Sequence, residues 1–390
     1  MAGRFQRSAT LRTHVPAPAH TQRPRRSALV ALATVFLLVT LAPPSHARPS
    51  AKKAIWGPAY DGATTHFGRY RDLGVGIYQE SINWGDIAPQ RPAAARDPWD
   101  PAYRWPAALD RTLAAARANR MTSALMLIGA PAWANGGHPW NWAPTRSRDF
   151  ADFAYAASRR YPTVNFWMVW GEPSREHNFE PLTPAPPGRR LTARQASAPR
   201  RYARMLDAAY GALKRAGPRD RVVGGMTYSS GDISTWQWVA NLRLPNGRPP
   251  RLDMYGHNPF TWRPPNLGSP PSCCGLADFS DLGRLGGFVD RNLAPRRRAR
   301  AQRHIPFFLS EFMLPTDVDA ELNFHVSRET QAAWIRDIMR IVRRSARIQV
   351  FGWIHLRDDP PRSDGQPGIS SGLLDHRGTP KPGYYAFKAG

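Results

Sequence analysis

Val164-Asn165-Phe166-Trp167-Met168-Val169-Trp170-Gly171-Glu172-Pro173 is a β-branched and aromatic run that stops on a glycine, a carboxylate and a proline. A run of that length suits a buried strand, and the glycine and proline end it. The same design recurs far along the chain as Ile305-Pro306-Phe307-Phe308-Leu309-Ser310-Glu311, again with a glutamate directly behind the apolar residues.

Working outward from these two, eight candidate strands can be read: Ala54–Tyr60, Val75–Gln79, Ser123–Ile128, Val164–Trp170, Arg221–Met226, Leu252–Gly256, Ile305–Leu309 and Gln349–Ile354. Helical spacing of apolar residues fills many of the intervals, at Trp105–Ala118, Asp149–Arg160, Arg200–Ala216 and Arg328–Arg344. Alternation of this kind predicts an α/β fold with a parallel sheet, and eight units suit a sheet closed on itself, a (β/α)8 TIM barrel. Glycine- and proline-rich stretches at Ala130–Pro144, Glu180–Gly188 and Pro259–Gly275 read as long loops at the strand ends, where such a barrel builds its site. No internal repeat or extended linker is visible, so residues 48–390 are expected to form one domain.

Residues 1–47 read as an export signal. Arg23, Arg25 and Arg26 precede an apolar run from Ala28 to Leu41, and Ser45-His46-Ala47 offers a small-x-small cleavage site. Cleaved export, to a secreted or extracellular location, is the expectation; an uncleaved anchor is the alternative, and no other segment reads as membrane-spanning. The Arg25-Arg26 pair fits a twin-arginine signal without deciding the route.

The formal net charge is +25, of which six charges lie in the export segment. Only five of the basic residues are lysines, and the arginines are spread along the chain apart from Arg296-Arg297-Arg298 with Arg300 and Arg303. Without basic residues interleaved with aromatics on one face, this reads as a solvated basic surface rather than a nucleic-acid groove. Cys273 and Cys274 are adjacent, which excludes a disulfide framework; a strained vicinal bond and two free thiols both remain open. The histidines lack ligand spacing, and neither a phosphate loop nor a nucleophile elbow is present, so no metal or cofactor is expected.

Glu172 and Glu311 would both lie at the C-terminal mouth of the barrel, on strands four and seven. Each could instead be a helix N-terminal glutamate held by backbone N–H groups, but both strand ends open into loops carrying Pro173 and Pro315. Two facing carboxylates suit glycoside cleavage, one protonating the leaving oxygen and the other attacking the anomeric carbon. Trp133, Trp140, Trp142, Trp262 and Trp353 crowd the expected mouth, where flat rings stack on sugar faces. Core packing is preferred for Trp56, Trp105, Trp167 and Trp334.

With Ser81-Ile82-Asn83-Trp84-Gly85-Asp86-Ile87-Ala88-Pro89, Gly129-Ala130-Pro131-Ala132-Trp133-Ala134, Trp170-Gly171-Glu172-Pro173, His257-Asn258-Pro259-Phe260, Ser310-Glu311-Phe312 and the tail Gly372 to Tyr384, the sequence resembles a clan of glycoside hydrolases. That clan shares a (β/α)8 barrel and a retaining mechanism; the likeness is greatest to families around 5 and 39, cellulase-like and xylosidase-like. The resemblance implies Glu172 as acid/base, Glu311 as nucleophile, His257 beside the nucleophile or the sugar, and Trp353 as the aromatic floor beneath the sugar. It departs from the pattern twice. Gly171 stands where an asparagine usually precedes the acid/base, leaving Asn258 or Asn135 to replace its contact with the sugar 2-hydroxyl. Phe260 stands where a tyrosine is common.

The function expected is extracellular hydrolysis of β-linked oligo- or polysaccharides. A non-catalytic carbohydrate-binding barrel associated with the cell wall is the alternative, and a binder of acidic polymers a third reading.

Overall fold

The computed structural model describes residues 50–294, 304–317, 322 and 324–390, all within one compact unit. The export segment and the arginine run beginning at Arg296 lie outside the described residues.

Eight parallel strands close into a barrel: β1 Ser50–Trp56, β2 Val75–Asn83, β3 Thr122–Ile128, β4 Val164–Val169, β5 Arg221–Tyr228, β6 Met254–Asn258, β7 Phe307–Leu309 and β8 Ile348–Ile354. Each pairs with its neighbours in chain order, and β8 returns to β1 through Lys53–Phe351 to Trp56–Ile354. The expected (β/α)8 fold is the one observed. The first strand starts earlier than its sequence suggests and ends at Trp56, because Tyr60–Asp61 and Thr64–Thr65 turn aside into a small hairpin.

Ala54, Ile77, Ala124, Met126, Met168, Val223, Met226, Met254, Phe308 and Val350, with at least one residue from every strand, form a closed cluster that fills the barrel. A second, larger cluster lies between barrel and helices. Side chains alternate across a strand with period two, so a residue's offset from these inner positions fixes whether it faces the lumen or the helices. Strand β5 breaks this count. Its pairing with β6 shifts between Gly224 and Thr227, with positive φ at Gly225 and Met226. The extra residue of this bulge turns Met226 inward and carries Tyr228 toward the mouth with it.

Helices Ala107–Ala118, Ser147–Arg160, Ser197–Ala216 and Arg328–Arg344 match the sequence reading closely. Leu282–Leu293 was hidden by its glycines. A Cβ at Gly286 would lie 2.8 Å from the Arg347 Nε, so a larger residue there would have to displace the Arg347 side chain. Among the described residues no helix is long and apolar enough to cross a membrane.

Candidate active site

Glu172 stands just beyond the end of β4, on a backbone bent by positive φ at Trp170 (65°) and at Glu172 itself (42°). Non-glycine residues rarely adopt such angles, and where they persist the surroundings must hold them. Here Trp170 is buried and its indole N–H donates to the Asn178 carbonyl at 2.6 Å. Successive turns, Arg175 N–H to Glu172 O at 3.0 Å and Asn178 N–H to Arg175 O at 3.1 Å, fold the chain back over the carboxylate. Arg175 Nη1 then meets Glu172 Oε2 at 2.8 Å, and Asn178 Nδ2 donates to the same oxygen at 3.3 Å.

The other oxygen, Oε1, accepts from Asn258 Nδ2 at 2.9 Å, and Asn258 Oδ1 accepts the backbone N–H of Glu311 at 3.1 Å. One fully buried amide on β6 thus ties the β4 glutamate to the β7 glutamate. Of the two asparagines expected to substitute for the residue replaced by Gly171, Asn258 reaches the pair. Asn135 is spent within its own loop, donating to the carbonyls of Ala130, His138 and Pro139.

Glu311 is positioned through the residue before it. Gln79 Nε2 and Trp56 Nε1 donate to the Ser310 carbonyl at 2.9 and 3.0 Å, and Trp56 also reaches Ser310 Oγ. Among the described residues no such set of donors surrounds the Glu311 carboxyl. Burial, and next the charge of Glu172, push its pKa up to about 8, against a smaller opposing pull from Arg175. Tyr228, half-buried at the end of β5, lies under the Arg175 guanidinium, 4.6 Å from ring centre to Cζ. Its phenol pKa is raised by burial and further by both glutamates, which places it among them. Phe260 packs on the Tyr228 ring at 5.4 Å, so this wall regains a phenol from β5 where β6 lacks one.

The pleat sends two expected site residues elsewhere. His257 is an odd number of residues from Met254, faces the helices and is fully buried. Its Nε2 donates to the Ala277 carbonyl at 2.8 Å, so Nδ1 accepts from Thr227 at 2.9 Å. Burial pushes its pKa down to about 4, and the ring is neutral. Trp353 is likewise an odd step from Val350 and packs on Phe312 and Phe387, outside the lumen and fully buried. The sequence reading had it beneath the sugar; the inward-facing tryptophan at this level is Trp56, half-buried beside Ser310.

The other rings lie on the rim. Trp133 donates to the Ala88 carbonyl at 2.8 Å and has Arg91 over its face at 4.3 Å. Trp142 stacks on His138 with centroids 3.8 Å apart. Trp140 and Trp262 are exposed. Sequence reasoning missed Arg175, Asn178, Tyr228 and Trp56. The first two carried a signal in their spacing of three and six from Glu172, while Tyr228 depends on a bulge no pattern announced. Among the described residues no group of histidine, cysteine or carboxylate side chains could hold a metal, and Cys273 and Cys274 are free and exposed.

No protein-family model matches the chain, and no curated protein matches its sequence. Solved structures do match. A family 39 glycoside hydrolase from Bacteroides cellulosilyticus superposes with a TM-score of 0.61 at 15% identity, covering 88% of this chain and 63% of that one. A monomeric β-xylosidase from Caulobacter crescentus gives 0.56 at 18%, over 86% and 67%. Xylanase 10B from Thermotoga maritima gives 0.53 at 16%, over 86% and 93%. The likeness is one of fold. This chain spans about two thirds of the first two.

Proposed function

We propose that the protein is a glycoside hydrolase that cleaves O-glycosidic bonds of β-linked oligo- or polysaccharides outside the cytoplasm, with retention of anomeric configuration. The observation that carries this reading is the Asn258 amide joining Glu172 and Glu311 at one mouth of the barrel. A retaining mechanism needs two carboxyl groups close together, one to give and later take the leaving-group proton, the other to attack the anomeric carbon and form a glycosyl-enzyme. In this reading Glu172 is the acid/base and Glu311 the nucleophile, and no metal or cofactor takes part. Asn258, the Trp56 ring and Tyr228 flank the sugar, with Trp133, Trp140 and Trp142 along the cleft; His257 supports Asn258 from behind. The matched structures, a xylosidase and a xylanase among them, support a β-linked substrate.

One observation favours the second reading, a carbohydrate-binding barrel without chemistry. Arg175, Asn178 and Asn258 all donate to the Glu172 carboxyl, whereas an acid must present its own O–H to the leaving oxygen. Incubation with 2-deoxy-2-fluoro β-glycosides bearing a good leaving group, followed by peptide mass mapping, separates the two. A glycosyl adduct on Glu311, absent from Glu311→Gln, is the expected result. Binding of oligosaccharides with no adduct would favour the binding barrel.

A further inference from the structure

Arg175 is a cation at the mouth whose bonding is unfinished. A guanidinium offers five N–H donors, and among the described residues its hydrogen-bonded partner is Glu172 alone, through Nη1. Its side chain is 39% exposed while that of Glu172 is 10% exposed, so the free edge of the fork faces outward from the pair. The Tyr228 ring lies beneath it as a flat platform. A neutral sugar offers this edge no counter-ion. A carboxylate does, in the two-point geometry that arginine favours.

Resting on the glycosidase reading above, we propose that Arg175 recognises a carboxylate on the substrate, so that the glycans cleaved contain uronic acid residues, and that in turning to that carboxylate it releases Glu172 Oε2 toward the leaving group. The excess of basic over acidic residues, 54 lysines and arginines against 29 aspartates and glutamates, draws a polyanionic glycan toward the protein.

The free protein shows why such a release is needed. Arg175, Asn178 and Asn258 all donate to Glu172, so both of its oxygens are held by the protein. An acid/base must instead present an oxygen to the leaving group. Around the pair stand Arg175 and Tyr228, with Asp232 acting on Arg175 from the loop after β5, where it accepts the Glu176 N–H at 2.9 Å. Moving Arg175 onto a substrate carboxylate withdraws the cation from Glu172. Glu172 Oε2 is then open to face the leaving-group oxygen. Glu311 is left as the group that attacks, and Glu172 as the one that serves the leaving oxygen.

The test is kcat/KM of the full-length protein on matched pairs that differ only at C6: 4-nitrophenyl β-D-glucuronide against the β-D-glucoside, and the β-D-galacturonide against the β-D-galactoside. Arg175→Gln and Arg175→Lys are measured alongside, with thermal unfolding to show that both fold. The wild type is expected to prefer at least one uronide by about tenfold or more. Arg175→Gln should bring that ratio near one, and Arg175→Lys, which keeps the charge and loses the fork, should fall between. Equal hydrolysis of neutral and acidic members by the wild type would overturn the inference and leave the glycosidase reading standing. A uronide preference unchanged in Arg175→Gln would also overturn it. No turnover of any pair by any of the three proteins would overturn the inference, and the glycosidase reading would then rest on the neutral glucans, xylans and mannans.

Discussion

Asn258 and His257 are neighbours in sequence with opposite fates. The amide faces the lumen and touches both glutamates; the imidazole faces the helices and is closed off by Thr227 and Ala277. Such buried polar networks are stable only when each member is satisfied, and here the neutral histidine is satisfied at both nitrogens. Glu311 has a different signature. Its folded pKa of about 8 lies above the ordinary carboxylate value of 4.5, so between these values the native state binds more protons than the unfolded chain. Stability that is full below about pH 4.5 is therefore lost as pH rises toward 8. The melting temperature of Glu311→Gln relative to the wild type should climb across pH 5–8, because the amide has no proton to lose. Parallel curves for the two proteins would show that Glu311 is ionised throughout.

At the scale of elements, β8 shows what strand packing demands near the site. A Cβ at Gly352 would lie 2.0 Å from the Ser310 carbonyl oxygen and 2.4 Å from Gln79 Nε2, the pair of groups that places Glu311. Gly352→Ala must push Ser310 outward, at a cost of about 1–3 kcal/mol or more. Chemical denaturation should register that loss, and any hydrolytic activity should fall at least tenfold. A variant as stable and active as the wild type would mean that β7 does not need this close approach. The same strand shows the limits of reading sequence alone. Its existence was legible from Gln349–Ile354, and the β4 and β7 runs named both glutamates. Which phase of the alternation faces inward was not legible, since Gly352 and Trp353 are both consistent with a buried strand. Only the closed sheet decides that Val350 fills the lumen and Trp353 the helical layer. Tyr228 was further out of reach, because the bulge in β5 resets the count. Helix Leu282–Leu293 was missed because its glycines, of which Gly286 lies against the Arg347 side chain, oppose helix propensity.

For the molecule as a whole, closure depends on the chain's last turns. Helix Pro382–Ala389 packs beside Arg328–Arg344 and covers the β1–β8 seam. Lys53 on β1, almost wholly buried, donates through Nζ to the carbonyls of Phe387 at 2.6 Å, Leu73 and Lys388. Burial pulls its pKa down to about 8. Tyr384 and Lys388 both reach Asp72 from the same helix. Phe387, fully buried against Trp353, is the apolar centre of this seal. Phe387→Ala should cost about 3–5 kcal/mol in denaturant unfolding; a loss under about 1 kcal/mol would mean that the seam is closed without it. Such a seal lets β1 and β8 hold Trp56 and Gly352 against Ser310, which links barrel closure to the placement of Glu311.

The central claim is that Glu172 and Glu311 together cleave glycosidic bonds, and it is tested most directly by turnover. Hydrolysis of a panel of neutral and acidic aryl β-glycosides, with soluble glucans, xylans and mannans, should be measured for the wild type, Glu172→Gln and Glu311→Gln. Activity on at least one substrate, reduced by about a thousandfold or more in each variant, is the expected result. Activity that survives either substitution, or its absence from the whole panel while the protein still binds oligosaccharides, would contradict the claim.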